Sequence, residues 1–365
     1  MMKIPLLDLK SQYNSIKNEI DLAINEVCES TAFTSSVFVE KFEKNFSKYC
    51  KTNYAISVNS GTSALHIAMI VLGIQEGDEV IMPANTFIAT AWAPLYVRAT
   101  PVFVDCCKDT WEIDPEQIEK KITKKTKAII GVHLYGQPFD IDAVKKIADE
   151  YNLFLIEDAA QAHGATYNNK PVGSFGEMAC FSFYPGKNLG TYGEGGCITT
   201  QNSQYSDRLK LLRDHGSSKK YYYDEIGYNM RMGGIEGAVL NVKLKYLDKW
   251  NKRRMYIASR FQKEINNPKV KMQLQAPYAK SVYHLFVITV KDRNSLIQNL
   301  NENNIYPGKH YPVPCHLQKA LKHLNYHRGD FPHSEYLADN CLSLPIYPEL
   351  CNQSVEKIIN LINKF

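Results

Sequence analysis

No stretch of the sequence approaches the roughly 18 uninterrupted apolar residues that a membrane-crossing helix needs. The opening "MMKIPLLDLKSQYNSI" has one lysine and then a short apolar run broken by Asp8, too little for a signal peptide. Cysteine is present but unorganised: the nine are odd in number and scattered, with no C-x-x-C pair, which argues against a disulfide framework. They read as reduced thiols in a cytoplasmic protein; the adjacent Cys106 and Cys107 suit a strand end better than a reactive pair. Charge of one sign is also scarce. Lys and Arg number 43 against 38 Asp and Glu, and the surplus of +5 is spread along the chain, so nothing marks a nucleic-acid surface. There is neither an internal repeat nor a low-complexity tract.

What recurs is a short apolar run followed by a helical pattern. The runs are "YAISV" (54–58), "EVIMP" (79–83), "PVFVD" (101–105), "KAIIGVH" (127–133), "LFLIED" (153–158), "ACFSF" (179–183) and "GCITT" (196–200). Most are apolar throughout rather than alternating, as in strands covered on both faces. "SALHIAMIVL" and "DIDAVKKIADEYN" supply helices between them. The expected fold is α/β, with a mostly parallel sheet of about seven strands.

The pattern changes beyond residue 200. Residues 204–213 read as a helix, and "GIEGAVLNVKLKYLDKWNKRRMYIASRFQKEI" reads as one long helical stretch with room for a bend. A strand "VYHLFVITV" (282–290), a helix "SLIQNLNENN", the proline-spaced "YPGKHYPVPCH" and a helix "SVEKIINLINKF" follow. A length of 365 residues suits two domains. The division is drawn inside the long helix: a large domain over 1–250, with an N-terminal helical segment, and a small α+β domain over 251–365.

In open α/β sheets, ligands gather at the carboxyl ends of the strands. After 54–58 comes "NSGTSALH", where Ser60, Gly61, Thr62 and Ser63 open a helix. Free N–H groups, hydroxyls and the helix dipole make such a turn a phosphate cradle, although the same residues suit an ordinary N-cap. Phe87 follows the strand at 79–83, placed to stack on a flat ligand or to fill core. Glu157 and Asp158 end an apolar strand, where a carboxylate is costly without a partner. With His163 they are metal-ligand types, but no second His or Cys stands at ligand spacing.

Ser182 ends the next strand and Lys187 follows on a Pro-Gly turn. A lysine partly withdrawn from water has a lowered pKa and is a competent nucleophile toward an aldehyde. Lys187 as that amine, Asp158 facing a protonated ring nitrogen, Phe87 on the ring face, and Ser182 with the 61–63 turn on a phosphate together describe a site for pyridoxal 5'-phosphate. "GTYGEGG" is glycine-rich but does not open a helix, so a nicotinamide-dependent oxidoreductase lacks its motif.

Five stretches, "VNSGTSALHIAM", "PANTFIATA", "LIEDAAQAHGA", "GSFGEMACFSFYPGKNLGTYGEGGCITT" and "GYNMRM", resemble the successive signatures of the DegT/StrS-type sugar aminotransferases. These are fold-type-I, aspartate-aminotransferase-like enzymes that use pyridoxal phosphate on nucleotide-linked keto sugars. The resemblance implies Lys187 as the catalytic, cofactor-anchoring lysine and Asp158 as partner of the pyridine nitrogen. It implies Gln161 over the cofactor face, and Gly61, Thr62 and Ser182 on its phosphate. Asn229 would reach that phosphate from the neighbouring subunit of a homodimer. The related sugar dehydratases replace the lysine with histidine, and this chain keeps Lys187. A regulatory protein that binds the cofactor without catalysis would bring a basic DNA-binding appendage, and none is evident. Ser35-Ser36 stands where many of the family carry a glycine.

The resemblance further implies an amino-acid donor, L-glutamate, and the pyridoxamine form of the cofactor between half-reactions. In "YPGKHYPVPCHLQ" (306–318), three prolines stiffen a segment presenting Lys309, His310, Tyr311 and His316; it reads either as a sugar-binding wall or as a rigid strand edge. Its wording resembles relatives that aminate C3 of dTDP-linked 3-keto-6-deoxyhexoses, and also some that use UDP-linked 3-keto sugars or aminate C4. The expected acceptor is a dTDP-3-keto-6-deoxyhexose, giving a dTDP-3-amino-3,6-dideoxyhexose for surface polysaccharide or a glycosylated metabolite.

Overall fold

Seven apolar strands form the spine of the computed structural model, which describes residues 3–365; the first two residues, where the reading of the N-terminal stretch begins, lie outside it. They are β1 (Tyr54–Val58), β2 (Glu79–Pro83), β3 (Thr100–Val104), β4 (Thr126–Val132), β5 (Phe154–Asp158), β6 (Met178–Ser182) and β7 (Gly196–Thr200). Across the sheet they lie in the order β1-β7-β6-β5-β4-β2-β3. The pairs from β6 to β3 are all parallel, while β7 runs antiparallel to both β1 and β6. β1 therefore points the same way as β6, and the carboxyl ends of β1, β5 and β6 open on one edge.

Both faces are covered, which is why the runs do not alternate. Val80, Met82, Ala128, Ile130 and Ile156 pack into one core with the helices Gly61–Val71 and Ile88–Tyr96. Ile81, Ile129 and Leu155 pack into another against the helix Ile141–Glu150. The parity of β5 thus sends Ile156 and Asp158 to one face and Leu155 and Glu157 to the other.

The expected long helix is two, Gly234–Leu244 and Leu247–Glu264, broken at Lys245 and Tyr246. The second helix joins Arg293–Glu302 and Asn352–Lys364 around a small antiparallel sheet of Lys271–Met272, Phe286–Thr289 and Cys341–Leu344. Ile257, Phe261, Phe286, Ile288, Leu342, Leu344, Ile358 and Ile362 form its separate core, which also takes in Ile4. The strand expected over 282–290 shortens to Phe286–Thr289 because the backbone before it is used elsewhere: the N–H groups of Val282 and Leu285 donate to Gly136 and Tyr135 at the edge of the main sheet. At the glycine-to-serine departure, Ser35 itself takes a left-handed φ of 45° and Ser36 stands at the N-cap of the helix Val37–Cys50, so the bend is kept without glycine. No described helix is long and apolar enough to cross a membrane.

Candidate active site

The carboxyl edge of the sheet opens into a cavity of about 650 Å³. Its wall includes Gly61, Thr62, Phe87, Asp158, Gln161, Ser182, Lys187, His310 and Tyr311, all singled out from the sequence.

Lys187 is carried on a turn closed by its own N–H to the Tyr184 carbonyl (2.9 Å). The loop beyond it is tied back by Thr191 N–H to Phe183 O (2.8 Å) and by Lys243 Nζ to Gly190 O (2.7 Å). Gly190 admits no side chain, since a Cβ there would stand 2.4 Å from the Pro185 carbonyl. Burial lowers the Lys187 amine to about 8, with the charge of Asp158 acting in the opposite sense. Near neutral pH the unprotonated amine is thus far more available than in an ordinary lysine.

Asp158 ends β5 at 5% exposure. One carboxyl oxygen accepts from the Thr90 hydroxyl (2.8 Å), the other from the Ala160 N–H (3.2 Å). Burial raises its pKa against these bonds and the charge of Lys187. No cationic nitrogen among the described residues lies within 4.0 Å of it, so a protonated ring nitrogen would supply the missing partner. Its neighbour Glu157 faces the scaffold, taking His133 Nε2 (3.0 Å) and the N–H groups of Gly173 (2.7 Å), Phe175 (2.8 Å) and Gly176 (3.0 Å). Burial alone would raise Glu157, but the bonds from His133, Gly173 and Gly176 outweigh it and leave it below its usual value.

At the end of β1, Ser60 caps the helix Gly61–Val71, its Oγ accepting from Ser63 N–H (3.1 Å). The N–H groups of Gly61 and Thr62 donate to no backbone or side-chain acceptor among the described residues and form the positive end of the helix dipole. A Cβ on Gly61 would stand 2.7 Å from the Ser182 Cβ, so only glycine lets these two strand ends meet. The free donors beside the Ser182 hydroxyl fit a phosphate.

Gln161 is locked: its Oε1 accepts from Tyr135 N–H (2.7 Å) and its Nε2 donates to Tyr311 Oη (3.0 Å). Tyr311 lies 5.6 Å from the Phe87 ring, tilted by 43°. Tyr311 belongs to a framed segment. Gly308 exchanges backbone bonds with Ser343 (3.0 and 2.8 Å), and Cys315 N–H donates to Ala84 O (2.9 Å) at the end of β2. His310 Nδ1 meets Ser343 Oγ at 2.8 Å, and burial, then the charge of Lys187, push its ring down to about 4.

Two of the four expected substrate contacts stand off this cavity wall. His316 is buried away from the cavity, its Nε2 3.1 Å from Glu335 Oε1 and its ring edge-on to Phe331, because the short helical turn Cys315–Leu317 rotates it out. Lys309 is exposed and off the cavity wall; the bridge of Gly308 to Ser343 fixes the alternation there, and His310 takes the inward side. Asn229 does not line this chain's cavity. It is exposed and accepts from Arg231 Nη2 (2.9 Å).

Thr90, Tyr184, Glu194, Arg254 and His284 belong to the site but were not singled out from the sequence. Thr90 lies inside the quoted "ANTFIATA" and only the fold aims it at Asp158; Arg254 sits in a helix whose charges read as a solvated face.

His163 is fully buried between Phe181 and Phe183, with neither ring nitrogen hydrogen-bonded, and burial, then the charge of Lys187, push it down to about 3. Its unfolded value is about 6.5, so below that pH the unfolded chain takes a proton that the native ring refuses. Stability should then fall by about 1.4 kcal/mol per pH unit from this residue alone. Melting curves from pH 7 to 4.5 should fall steeply for the wild type and less steeply for His163→Phe; equal slopes would refute the assignment.

The chain also matches known proteins over nearly its whole length. A model of the DegT/DnrJ/EryC1/StrS aminotransferase family matches residues 14–363. The chain is 44% identical over 362 residues to the dTDP-3-amino-3,6-dideoxy-alpha-D-galactopyranose transaminase of Aneurinibacillus thermoaerophilus, covering 99% of each. It superposes on the crystal structure of S. venezuelae DesV in complex with a ketimine intermediate with a TM-score of 0.98 at 40% identity, covering 100% of this chain and 98% of that one. NtdA from Bacillus subtilis, solved with bound cofactor PMP, is similar at a TM-score of 0.92 and 32% identity, over 99% of this chain and 85% of that one. By its lysine loop, its strand-end carboxylate and this full-length match, the chain belongs to the DegT/DnrJ/EryC1/StrS aminotransferase family.

Proposed function

We propose that the protein is a pyridoxal-phosphate-dependent aminotransferase that moves an amino group from an amino acid, L-glutamate, to C3 of a dTDP-3-keto-6-deoxyhexose. The observation that carries this reading is the lowered amine of Lys187 and the unpaired carboxylate of Asp158 on one cavity wall, beside the free N–H groups of Gly61 and Thr62. Bound there, pyridoxal phosphate supplies an aldehyde that captures amines and a ring that draws electrons from the adjacent carbon. Asp158 keeps the ring nitrogen protonated, and Gly61, Thr62 and Ser182 hold the phosphate. Phe87 and Gln161 bound the ring. Lys187 Nζ takes a proton from the carbon that loses its amine and returns one to the carbon that gains it.

The acceptor rests on likeness to the A. thermoaerophilus transaminase, together with His310 and Tyr311 on the wall of the cavity. A homodimer is part of the same reading. Tyr221, Tyr222 and Tyr223 are 63% exposed or more and Ile226 is 90% exposed, an apolar tongue close to Asn229 that suits a subunit interface and a shared phosphate site. We assign residues 1–250 to the cofactor-binding domain and 251–365 to the smaller one, and place the enzyme in the cytoplasm with its nucleotide-sugar substrate. Amination of dTDP-3-keto-6-deoxyhexose, dTDP-4-keto-6-deoxyglucose and a UDP-linked 3-keto sugar, measured side by side with L-glutamate, tests the choice. The first should be fastest by roughly 10-fold or more. A faster 4-keto sugar overturns the regiochemistry, and a faster UDP sugar overturns the nucleotide.

A further inference from the structure

A second cavity, of about 840 Å³, shares no lining residue with the first. One wall is the loop 108–111 that follows β3; the other is made by the small sheet, the helix Pro332–Asn340 and Phe365. It is large enough for a small-molecule ligand and lies where the two layers of the chain meet, a usual place for one.

Its floor and its rim differ in character. In the floor, Trp111 is 4% exposed and Leu337 is buried. Strand alternation sends Phe286 and Ile288 into the small core and Thr289 to the opposite face, where the register sets it directly across from Lys271. The Thr289 hydroxyl is buried with no hydrogen-bond partner, a costly arrangement unless something else meets it. The rim carries Lys108, Lys269, Lys271 and Lys291, all exposed. None of them forms an ion pair among the described residues, and only Lys269 makes a side-chain hydrogen bond, to the Phe365 carbonyl (2.8 Å). Asp109 and Asp292 also line the cavity without pairing to a lysine; Asp292 instead caps the helix Arg293–Glu302, accepting from Ser295 N–H (3.4 Å). Aromatic rings stand beside the charges. Tyr336 is 37% exposed, and the Lys269 ammonium lies 5.2 Å from the centre of the Phe365 ring.

A solvated face would explain the lysines but neither the unpartnered hydroxyl nor the aromatic wall. Lysine meets phosphate as a mobile point charge, a hydroxyl donates to a phosphate or sugar oxygen, and an aromatic ring takes the face of a base. A carboxylate metabolite would leave the rings idle, and an apolar one would leave the cations idle. We propose that this cavity is a second ligand site, for a nucleotide, with its phosphates on Lys271 and Lys291 and its base against the rings. The site stands apart from the aminotransferase reading, since it needs neither cofactor nor amino donor. It is also one ring away from the first cavity. Trp111 lies edge-on to Tyr135 (6.4 Å, 86°), whose N–H holds Gln161 and whose hydroxyl donates to the His310 carbonyl (2.6 Å).

The test is a calorimetric titration of the cofactor-loaded enzyme with dTDP, beside the double variant Lys271→Glu/Lys291→Glu. Both positions are exposed and off the first cavity, so basal amino transfer should be unchanged. The wild type should bind one equivalent of dTDP per chain that the variant loses or binds at least ~10-fold more weakly. Equal stoichiometry and affinity in the two proteins overturns the proposal. Pyrophosphate and thymidine, each carrying half of the ligand, should bind this site at least ~10-fold more weakly than dTDP. If either alone binds as tightly, the site is not one for a nucleotide. A crystal structure of the wild-type enzyme with dTDP is the second measurement. Phosphate oxygens within hydrogen-bond distance of Lys271 or Lys291 support the assignment, and dTDP confined to the first cavity sinks it. Amino transfer measured without dTDP tests the aminotransferase reading by itself, and its failure would leave this site untouched.

Discussion

Lys187→Ala should leave a folded protein with no measurable amino transfer, a loss of at least ~10⁴-fold, because one side chain serves both as the covalent anchor and as the proton carrier. Among the described residues no other lysine lines the cavity. Borohydride treatment should fix the cofactor to the wild type and not to the variant. A borohydride-stable adduct at native level in Lys187→Ala would refute the assignment. Stability should move the other way. A lysine whose folded value is about 8 against an ordinary 10.5 costs stability while both states are protonated, below pH 8. That cost fades as pH rises from about 8 to 10.5, where the native amine is neutral and the unfolded one is not. The cofactor-free variant should therefore melt no lower than the cofactor-free wild type at pH 7, and the gap should narrow toward pH 10.

Asp158→Asn is the second large effect. The amide keeps the shape and can still meet Thr90, but it cannot hold a ring nitrogen protonated, so the cofactor should bind while turnover drops by roughly 10²- to 10⁴-fold. A second readout separates this from simple damage to the site. The charge of Asp158 raises the Lys187 value, so in the cofactor-free protein its removal should let the amine fall further below about 8, visible in the pH titration of its reaction with an amine-selective reagent. Wild-type turnover in Asp158→Asn, or an upward shift of that titration, would count against the pairing.

The strands were legible because each is an apolar run of five to seven residues, covered on both faces, and their ends fall within about one residue of the expected ones. The cofactor residues were legible for a related reason: each follows a strand, so chain order already lists them along one edge. Contacts that depend on elements remote in sequence were not. Thr90 reaches Asp158 across 68 positions, and Arg254 reaches Ile346 across 92, with no local pattern to announce either. The proline-spaced segment shows the limit from the other side. Its polar side chains were visible, but which of them turn inward is set by the pairing of Gly308 with Ser343 and by the turn at Cys315, which leave Lys309 and His316 off the cavity wall.

The cavity wall draws on both extremes of the described chain. Leu6 and Leu7 line it together with Arg254, His284, His310, Tyr311 and Ile346. During synthesis the sheet can close once β7 has emerged to pair with β1, and Asp158 and Lys187 then already stand on its edge. The roof is still missing until the last of these residues leaves the ribosome. Because burial is what lowers the Lys187 amine, an electrophilic aldehyde meets an activated amine only once residues as far along as Ile346 have folded over it, and a message cut short of them yields a scaffold whose lysine is solvated and ordinary.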